Sequence, residues 1–442
     1  MTFKRLATGT VLRTLSSTEC RIDEHIAGGG EGEVYAGDLN GNAVAVKWYN
    51  PASATLRQWH SLEQLLEKGA PNARFVWPLA LVSRSGSPPP DGEPFGYIMP
   101  LIDRTRFRSL ADLLARRIKP RLSVLATAGF QLADSYRQLH SCGLAYRDVS
   151  RNNVMFDPAT GDIVVCDNDH VSTDGHPSDI WGTPAYVAPE IILETASPSR
   201  ETDLWSLAVL LFHLYINDHP LRGRAEMDIH CLDPAALRRL CGERPVFIYD
   251  PHDDSNRPVP GEHDAAIALW PLYPRFLRDL FTQAFTTGIR DPHARVGESQ
   301  WQQALAQLRD CVLPCPNCGR ENFYDVHSTP PSGTCLACGL SMSAPGRLRL
   351  GPGAPIVVLT PDTKLYPHHL DPSRRYDFST VLAELYENPA RKGQWGLKNL
   401  GDQLWTFTGS DGIQRDVAPG RTVPLEDGRK INFGRVAGDL RT

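Results

Sequence analysis

The chain has 442 residues, which is too long for a single hydrophobic core and predicts two or three domains. Its hydrophobic content of 41% and charged content of 22% are ordinary for globular proteins. The net charge of −5 and the pI near 6.3 give no sign of a protein that binds nucleic acid or an anionic membrane surface.

Two features bear on where the protein resides. Residues 1–5 are not followed by an apolar core, so no signal peptide is predicted. The apolar run at residues 204–216 is far shorter than the ~20 residues that span a bilayer, and it contains His213. We therefore expect a cytoplasmic protein without a membrane-spanning helix.

Residues 26–35 form a glycine-rich segment. Gly29 and Gly32 fit the pattern G-x-G-x-x-G-x-V, in which Ala27 takes the first glycine place and Val34 the last position. Because glycine has no Cβ, backbone N–H groups in such a loop can approach phosphate oxygens closely. A glycine-rich hairpin turn is the alternative, and this motif by itself favours the turn.

The next segment, residues 43–47, alternates like a β-strand and ends at Lys47. Asn40 and Gly41 precede it and are typical of a tight hairpin turn, so this strand and the glycine-rich strand are predicted to be antiparallel neighbours. A lysine at a strand end is usually just solvated. Its place after a glycine-rich loop instead favours a ligand for phosphate.

A helix is predicted from about residue 53 to residue 68. It offers two carboxylates, Glu63 and Glu67, as partners for Lys47, although either could simply be an exposed helix residue. The buried face is marked by leucines at helical spacing: Leu62, Leu65 and Leu66.

Asp148 and Asn153 lie within residues 145–155, AYRDVSRNNVM. Phosphoryl transfer needs a carboxylate to orient the attacking hydroxyl group and, a fixed step away, an amide oxygen to hold a metal ion. Arg-Asp and Asn-Asn pairs are common in loops, so this spacing alone is only suggestive. Its support comes from the motifs that surround it.

Downstream segments carry longer patterns. Residues 163–166 form a short apolar strand that is followed at once by Asp167. Residues 182–190 read GTPAYVAPE, residues 202–212 read TDLWSLAVLLF, and residues 291–295 read DPHAR.

In this order, the segments resemble the motifs of bacterial eukaryotic-like (Hanks-type) serine/threonine protein kinases. Residues 145–155 resemble the catalytic loop H-R-D-x-x-x-x-N, with Tyr146 in the histidine place, and residues 182–190 resemble the substrate loop G-T-P-x-Y-x-A-P-E. The resemblance extends from residue 26 to residue 295, about two-thirds of the chain. It implies a bilobal protein-kinase fold with ATP under the glycine-rich loop.

The resemblance also implies roles for the acids and the amide. Asp148 orients a hydroxyl group of a protein substrate, Asn153 and Asp167 hold Mg²⁺, and Thr183 favours serine or threonine over tyrosine as the acceptor. Glu63 is preferred over Glu67 because its distance to residues 75–78 fits the kinase pattern better. The implied catalytic residues are Lys47, Glu63, Asp148, Asn153 and Asp167.

Nucleotide contacts follow from the same resemblance. Lys47 pairs with phosphates, Val34 packs on the adenine, and residues 96–102 form the strand that enters the hinge between the lobes, with Met99 as gatekeeper. The alternative is that residues 96–102 form only a strand of the hydrophobic core. The two interpretations of this segment are compatible. The residues implied to bind ATP are Ala27, Gly29, Gly32, Val34, Ala45, Lys47, Met99, Leu101, Ile102, Asn153, Met155 and Asp167.

Two further matches imply structural roles. Asp203, in a D-x-W-S-x-G-V helix with Ala208 in the glycine place, is expected to hold the backbone of the catalytic loop. Arg295 is expected to pair with the carboxylate of Glu190. Small-molecule kinases of related fold generally lack these elements, so the resemblance favours a protein kinase.

The sequence departs from the kinase pattern in the site itself. Ser150 replaces a lysine that touches the γ-phosphate, so we expect slow turnover unless Arg151 supplies the charge. Asn168 and Asp169 replace the Phe and Gly of D-F-G, and Asp169 is interpreted as a solvated loop acid rather than an additional metal ligand. A pseudokinase that binds nucleotide without transferring phosphate is the alternative function. Candidate autophosphorylation sites, whose phosphate could pair with Arg147, are Ser172, Thr173 and Ser178.

Ten cysteines in a cytoplasmic chain favour metal binding over disulfides. Four of them form two C-x-x-C-G knuckles separated by residues 319–334, enough chain for a hairpin that brings the knuckles together. This pattern predicts a structural Zn²⁺ ribbon, with a redox C-x-x-C as the alternative. The other six cysteines are interpreted as ordinary buried thiols. The predicted zinc ligands are Cys315, Cys318, Cys335 and Cys338.

The last hundred residues consist of short alternating runs separated by turn signals, which predict a β-sandwich. Strands are expected at residues 356–359, 404–407, 421–425 and 430–433, with a short helical piece at residues 377–386. The order of motifs from residue 396 to residue 434 is similar to the end of forkhead-associated domains, which bind phosphothreonine. The Arg and Ser-x-x-His set of those domains has no convincing counterpart, so a sandwich used for protein contacts is favoured.

Together these observations predict an α+β protein. A bilobal kinase domain occupies residues 1–310, with its N-lobe at about 15–100 and its C-lobe at about 101–310. A zinc ribbon at residues 311–343 and a forkhead-associated-like β domain at residues 344–442 follow. The expected cofactors are ATP, Mg²⁺ and Zn²⁺. The expected partner is a protein substrate, with a phosphatase or a von Willebrand A-type protein suggested by analogy, and neither nucleic acid nor membrane is expected.

Overall fold

The computed structural model describes residues 5–174, 182–325, 333–351, 356–409 and 411–442. The chain forms two compact units. The first comprises Met1–Pro120, Gln131–Ala266 and Phe281–Ser299. The second comprises Arg121–Phe130, Ile267–Leu280 and Gln300–Thr442.

The first unit begins with a closed barrel of six strands in the order β1-β2-β3-β4-β6-β5. Its interior is apolar and includes the fully buried Leu12, Val46 and Ile98. The predicted hairpin is confirmed: β3 and β4 are antiparallel, and both residues of the turn, Asn40 and Gly41, have positive φ. The strands are β1 Val11–Thr14, β2 Glu19–Gly28, β3 Gly32–Leu39, β4 Asn42–Tyr49, β5 Ala80–Ser83 and β6 Gly96–Pro100.

Helix α1, Leu56–Lys68, packs beside the barrel. It begins after Thr55, whose side chain accepts a hydrogen bond from the backbone N–H of Gln58, and it ends at Gly69, which has a positive φ. The buried side chains of α1 are Trp59, Leu62 and Leu65, whereas Leu66 is only half-buried.

Residues 108–310 are mainly helical, and the central helix α5 is buried along most of its length, as predicted for residues 204–216. The strands are β7 Arg108–Ser109, β8 Leu144–Ala145, β9 Val154–Phe156, β10 Ile163–Val165 and β11 Ser172–Thr173. The helices are α2 Leu110–Leu114, α3 Leu122–Ser141, α4 Pro189–Ile192, α5 Arg200–Ile216, α6 Arg224–Met227, α7 Pro234–Leu237, α8 Asp264–Leu269, α9 Arg275–Phe285, α10 Thr287–Arg290 and α11 Glu298–Asp310.

The second unit contains a small hairpin, β12 with β13, and two antiparallel sheets with the strand orders β15-β14-β23-β22-β19-β20 and β16-β17-β18-β21. Leu348 and Val357 of the first sheet share one buried cluster with Leu397 and Val423 of the second, which is the packing of a β-sandwich. The elements are β12 Val312–Pro314, β13 Glu321–Phe323, β14 Gly346–Leu350, β15 Ile356–Leu359, β16 Lys364–Leu365, α12 Pro367–Leu370, β17 Ala383–Glu387, β18 Trp395–Asn399, β19 Trp405–Thr408, β20 Gln414–Val417, β21 Thr422–Pro424, β22 Lys430–Asn432 and β23 Ala437–Arg441.

The limits of the second unit do not coincide with the boundaries predicted at residues 310 and 343. Side chains from before residue 310 pack inside this unit: Arg309 stacks on the ring of Phe378, and the backbone N–H of Ser123 donates to Glu321. Such contacts join segments that are distant in sequence, so composition along the chain could not show them.

Two smaller predictions were wrong. The helical piece expected at residues 377–386 overlaps strand β17, which pairs with β18. Cys142 and Cys231, interpreted as buried thiols, are exposed. Among the described helices, none combines the length and the apolar composition that crossing a bilayer requires.

Candidate functional site

Asp148 lies at the centre of a small hydrogen-bonded array in the loop between β8 and β9. Its Oδ2 accepts a hydrogen bond from Nδ2 of Asn153 at 2.9 Å, and its Oδ1 accepts one from the hydroxyl of Thr183 at 2.7 Å. Nδ2 of Asn153 also donates to the backbone carbonyl of Asp148 at 2.9 Å. The amide nitrogen of Asn153 is therefore committed to the loop, and its amide oxygen is the group suited to a metal ion.

The backbone of this loop is held by Asp203, at the start of α5. The Asp203 carboxylate accepts hydrogen bonds from the N–H groups of Tyr146 at 2.5 Å and Arg147 at 2.8 Å. It is bonded in turn to Nε2 of His140 at 3.1 Å, and Nδ1 of His140 contacts the Glu298 carboxylate. The anchoring role predicted for Asp203 is confirmed.

Tyr146 connects the loop to the segment that carries Asp167. Its side chain is buried, and its hydroxyl donates to the carbonyl oxygen of Cys166. The backbone N–H of Cys166 donates to the carbonyl of Asn153 at 2.8 Å. These two bonds bring Asp167 next to Asn153, so the two predicted metal ligands lie on adjacent backbone segments.

Lys47, on β4, reaches three carboxylates. Its Nζ lies 2.6 Å from Oδ1 of Asp167, 2.8 Å from Oδ2 of Asp169 and 3.2 Å from Oε2 of Glu31. Glu31 comes from the loop between β2 and β3 and also lies 3.2 Å from Nε2 of His170. The structure therefore pairs Lys47 with Asp167 and places them next to the loop in which Asn153 is bonded to Asp148.

A cavity of about 400 Å³ opens beside this cluster, between the glycine-rich hairpin and the end of β6. Five residues that the sequence placed at a nucleotide line it: Val34, Ala45, Met99, Leu101 and Ile102. The same wall includes residues that sequence reasoning missed, namely Glu24, His25, Ile26, Ala36, Pro100 and Arg104. The other predicted nucleotide contacts are not among the described residues that line this cavity: Ala27, Gly29, Gly32, Lys47, Asn153, Met155 and Asp167.

Gly32 has a different reason to be glycine. A Cβ there would lie 2.3 Å from the backbone oxygen of Trp48 on the neighbouring strand, which no side chain can tolerate. Gly29 donates its N–H to the carbonyl of Gly32 at 2.9 Å. Gly32 thus allows the close approach of β3 to β4 next to the turn that carries Glu31.

The segment at residues 182–190 is held in place by contacts with Arg295 and with helix α5. Arg295 donates two hydrogen bonds to the Glu190 carboxylate, at 2.8 and 2.7 Å, as the sequence predicted. The hydroxyl of Ser206 donates to the carbonyl of Tyr186 at 2.8 Å, which ties the segment to α5. Thr183 is consequently held where its hydroxyl meets Asp148.

Residues 95–262 match the family model described as protein kinase domain. This stretch is similar to a protein kinase domain. A 95-residue stretch is 38% identical to protein kinase C delta type of Mus musculus, and it covers 21% of this chain and 14% of that protein. A 117-residue stretch is 36% identical to CBL-interacting protein kinase 4 of Oryza sativa subsp. japonica, with 25% of each chain covered. An 88-residue stretch is 33% identical to the serine/threonine-protein kinase sck1 of Schizosaccharomyces pombe, covering 19% of this chain and 12% of that protein. The chain thus spans a quarter or less of the length of these relatives.

The prediction that Glu63 holds Lys47 was wrong. The Glu63 carboxylate instead accepts a hydrogen bond from Nε1 of Trp59 at 2.9 Å and contacts Nδ1 of His60 at 2.9 Å. The residue of α1 that faces the cluster is Gln58. Its Nε2 donates to the hydroxyl of Tyr49 at 3.0 Å and to the backbone oxygen of Asp169 at 3.2 Å.

The interpretation of Asp169 as a solvated loop acid was also wrong, since its side chain is fully buried. Burial would raise the pKa of Asp169, but the charge of Lys47 and then that of His170 hold this pKa well below its usual range. Burial likewise opposes the charged form of Lys47, yet the carboxylates, Asp169 first among them, hold the pKa of Lys47 above its usual value. Lys47 and Asp169 are therefore a buried ion pair at neutral pH.

The other departures from the kinase pattern have distinct environments. Nδ2 of Asn168 donates to the backbone oxygens of Val76 and Val165, each at 2.9 Å. Asn168 takes the place of the Phe of D-F-G, so hydrogen bonds to the backbone replace the packing of an aromatic ring. The Ser150 hydroxyl is buried and has no hydrogen-bond partner among the described residues. Arg151 is exposed.

Two of the three candidate phosphorylation sites lie near Arg147. Ser172 and Thr173 form β11, which pairs with β8, and β8 ends two residues before Arg147. Nη2 of Arg147 donates to the Thr173 carbonyl at 3.1 Å. Ser178 lies outside the described residues.

The pH dependence of stability offers a test of the Asp203 anchor. The side chain of His140 is 2% exposed. Burial would lower the pKa of His140, but its bonds to Asp203 and Glu298 raise it to about 9. A raised folded pKa gives stability that is complete below the unfolded value of about 6.5 and is lost as the pH rises through about 9.

We expect His140 to contribute on the order of 3 kcal/mol to the pH-dependent part of the free energy of unfolding. Thermal unfolding of wild type and His140→Gln between pH 6 and pH 9.5 measures it. The stability advantage of the wild type should shrink across this range. The pKa of His170 is also raised to about 9, so only the difference between the two proteins isolates His140. A difference that is constant with pH would contradict the assignment.

Outside the kinase site, the four predicted zinc ligands converge. Sγ of Cys315 lies 3.6 Å from Sγ of Cys338, and Sγ of Cys318 lies 3.6 Å from Sγ of Cys335. Gly319 and Gly339 both have positive φ and donate their N–H groups back to Cys315 and Cys335, so the two knuckles fold alike. Four thiolates around one Zn²⁺ at ~2.3 Å would be about 3.8 Å apart, so these side chains fit the ion.

Proposed function

We propose that this protein is an ATP-dependent serine/threonine protein kinase. The observation that carries the proposal is the proximity of two pairs, Asp148 with Asn153 and Lys47 with Asp167, on adjacent segments. A mainly apolar cavity reaches Ala45, two residues before Lys47 on β4. The match of residues 95–262 to the protein kinase domain supports it, and so does the similarity to serine/threonine kinases.

In the proposed reaction each group has one task. Asp148 accepts a hydrogen bond from the substrate hydroxyl, orients it toward the γ-phosphorus and takes its proton as the new P–O bond forms and the bond to the ADP leaving oxygen breaks. The Thr183 hydroxyl, 2.7 Å from Asp148, holds the carboxylate in orientation. The ammonium group of Lys47 pairs with phosphate oxygens of ATP.

The donor set also fits Mg²⁺. The Asn153 amide oxygen and the partly exposed Asp167 carboxylate are the oxygen ligands that this ion prefers, and they would hold it. When bound, Mg²⁺ would neutralise charge that develops on the phosphates. The cavity walls formed by Val34, Ala45 and Met99 suit the flat, apolar faces of an adenine ring.

A nucleotide-binding pseudokinase is the second candidate, and the environment of Ser150 favours it. The family lysine at this position would supply a positive charge at the γ-phosphate, whereas the Ser150 hydroxyl is buried and carries no charge. Loss of one electrostatic contact of this kind costs about 10²- to 10³-fold in rate. Slow transfer therefore agrees with the kinase proposal, and complete absence of transfer would favour the pseudokinase.

The deciding experiment incubates the purified full chain with γ-labelled ATP, Mg²⁺ and a generic protein acceptor. Phosphoserine or phosphothreonine, identified by mass spectrometry on the protein itself or on the acceptor, would support the kinase. Calorimetric binding of Mg·ATP with no labelling of any protein would support the pseudokinase. Absence of both would overturn the assignment of the cleft.

Glu31 gives a separate prediction about nucleotide binding. Its carboxylate lies 3.2 Å from the Lys47 amine, where phosphate oxygens should bind, and must move aside when ATP enters. We expect Glu31→Gln to lower the Kd of Mg·ATP by about twofold to fivefold, the range for a partly exposed ion pair. Isothermal titration calorimetry measures the change.

The matched control for Glu31→Gln is Glu19→Gln. Glu19 lies at the start of β2 and pairs with Arg13 instead of Lys47, and it is not among the described residues that line the cavity. We expect its affinity for Mg·ATP to equal that of the wild type. Unchanged or weaker binding by Glu31→Gln would show that its carboxylate does not compete with the nucleotide.

We further propose that the four-cysteine cluster binds one structural Zn²⁺ and that the sandwich at residues 344–442 contacts other proteins. The geometry of the thiols supports the first point. A forkhead-associated-like role, a phosphatase or von Willebrand A-type partner and a cytoplasmic location are proposals that rest on the sequence.

A further inference from the structure

Lys47 touches three acids, but their surroundings differ. The Asp167 side chain is 38% exposed and that of Glu31 is 43% exposed, whereas the Asp169 side chain is 0% exposed and Lys47 is 7% exposed. An ion pair between two buried groups keeps one geometry, because neither partner can exchange its contact for water. Asp169 is the acid that fixes the position of the Lys47 amine.

Asp169 is itself held by hydrogen bonds. Its Oδ2 accepts from the hydroxyl of Tyr49, two residues after Lys47 on β4. Its backbone oxygen accepts from Nε2 of Gln58, at 3.2 Å, and the same Nε2 donates to the Tyr49 hydroxyl. Lys47, Tyr49, Gln58 and Asp169 thus form one connected network.

Helix α1 contributes only a neutral amide to this network. Gln58 occupies the face of the helix that looks toward Lys47, while the carboxylate of Glu63 is bonded to Trp59 and His60. In the kinases that the sequence resembles, a glutamate of this helix holds the lysine. In this protein the buried carboxylate that contacts Lys47 belongs to Asp169, which lies on the segment that carries Asp167.

We propose that Asp169 is the positioning residue for Lys47 and takes over the task of the missing helix glutamate. The inference rests on the proposed function, because it concerns how the lysine is aimed at ATP. Asp169 lies two residues after the metal ligand Asp167. Lysine alignment and metal binding are therefore set by one short segment, and the position of α1 does not decide whether Lys47 has its counter-ion.

A direct role as a metal ligand is the competing explanation for Asp169. The geometry disfavours it. Oδ2 is occupied by both Lys47 and Tyr49, and Oδ1, which has no hydrogen-bond partner among the described residues, belongs to a side chain without exposed surface. The two roles predict different responses to Mg²⁺. Loss of a metal ligand is overcome by more Mg²⁺, whereas loss of a counter-ion for Lys47 is not.

The experiment compares Asp169→Asn with Glu63→Gln in the full chain. Both replace a carboxylate by an isosteric amide, and melting temperatures verify that each variant folds. We expect Asp169→Asn to lower kcat/KM by about 10²-fold at every Mg²⁺ concentration, at least tenfold of it through weaker binding of Mg·ATP. Glu63→Gln should stay within twofold of the wild type. Recovery of Asp169→Asn at high Mg²⁺, or an equal loss in Glu63→Gln, would overturn the proposal.

A rescue variant guards against a merely structural effect. Asp169→Asn combined with Gln58→Glu returns a carboxylate to the helix, one hydrogen-bonded group away from Lys47. We expect it to regain at least tenfold of the lost kcat/KM. A double variant as slow as Asp169→Asn would count against a counter-ion role.

Calorimetry separates this inference from the proposed function. If the wild type binds Mg·ATP but transfers no phosphate, the kinase proposal fails and the role of Asp169 is still read from affinity. Asp169→Asn should then bind Mg·ATP at least tenfold more weakly than Glu63→Gln. Equal affinities would overturn the role of Asp169 on their own.

Discussion

We expect Asp148→Asn to lower kcat by about two to four orders of magnitude, which corresponds to ~3–5 kcal/mol of transition-state stabilisation. An amide cannot take the proton of the attacking hydroxyl group. It also presents an N–H group where a carboxylate oxygen accepted a hydrogen bond from Asn153 or Thr183. Transfer of label from γ-labelled ATP to a protein acceptor, under single-turnover conditions, measures the loss.

Binding should separate from chemistry in this variant. Asp148 contacts Asn153 and Thr183 but not Lys47, so we expect the affinity for Mg·ATP to change by less than about threefold. Asp254→Asn is the control, because it makes the same chemical change at an exposed loop position. Equal labelling by wild type and Asp148→Asn would remove Asp148 from the reaction and leave the cleft as a nucleotide-binding site.

The predictions that agree with the structure rest on residues close together in sequence or on long motifs. Asn153 is five residues from Asp148, so one loop determines their contact. The pair of Glu190 and Arg295 spans a hundred residues, but each partner belongs to a specific motif. In both cases the sequence carried the information locally, and the fold had only to bring complete motifs together.

The position of Glu63 follows from the helical phase of α1. Residues three and four positions apart share a face of a helix, and the buried Leu62 and Leu65 define the inward face of α1. Gln58, four positions before Leu62, lies on that face, whereas Glu63 is about 100° away from Leu62. The helical phase of α1 therefore predicts that Gln58, and not Glu63, faces Lys47.

Asp169 could not be placed from sequence because its environment is tertiary. The polar residues that follow Asp167 are typical of a solvated loop. Only the contacts of Asp169 with Lys47, Tyr49 and Gln58 show that its side chain is buried. An unpaired carboxylate at such a site would be strongly disfavoured, so the acid at 169 and the lysine at 47 have to be understood as a pair.

The cysteine cluster gives the second prediction with a large expected effect. We expect the purified protein to contain one zinc per chain and the Cys318→Ser/Cys338→Ser variant to contain less than a tenth of that, by elemental mass spectrometry. Structural zinc sites contribute ~10–16 kcal/mol of apparent binding free energy in small modules. The hairpin of β12 and β13 and its two knuckles have few buried side chains of their own, so the described part of this module should lose protection from hydrogen exchange when zinc is lost.

The matched control is Cys142→Ser/Cys231→Ser, which also removes two exposed thiols but leaves the cluster intact. We expect full zinc content and unchanged exchange in that variant. Nδ2 of Asn322 donates to Sγ of Cys335 at 3.7 Å, as expected where a sulfur carries the negative charge of a metal-bound thiolate. A wild-type protein without zinc whose four thiols are joined as disulfides would contradict the metal site. In that case the paired knuckles would belong to the redox class of C-x-x-C motifs, since the same spacing serves both chemistries and only the occupant distinguishes them.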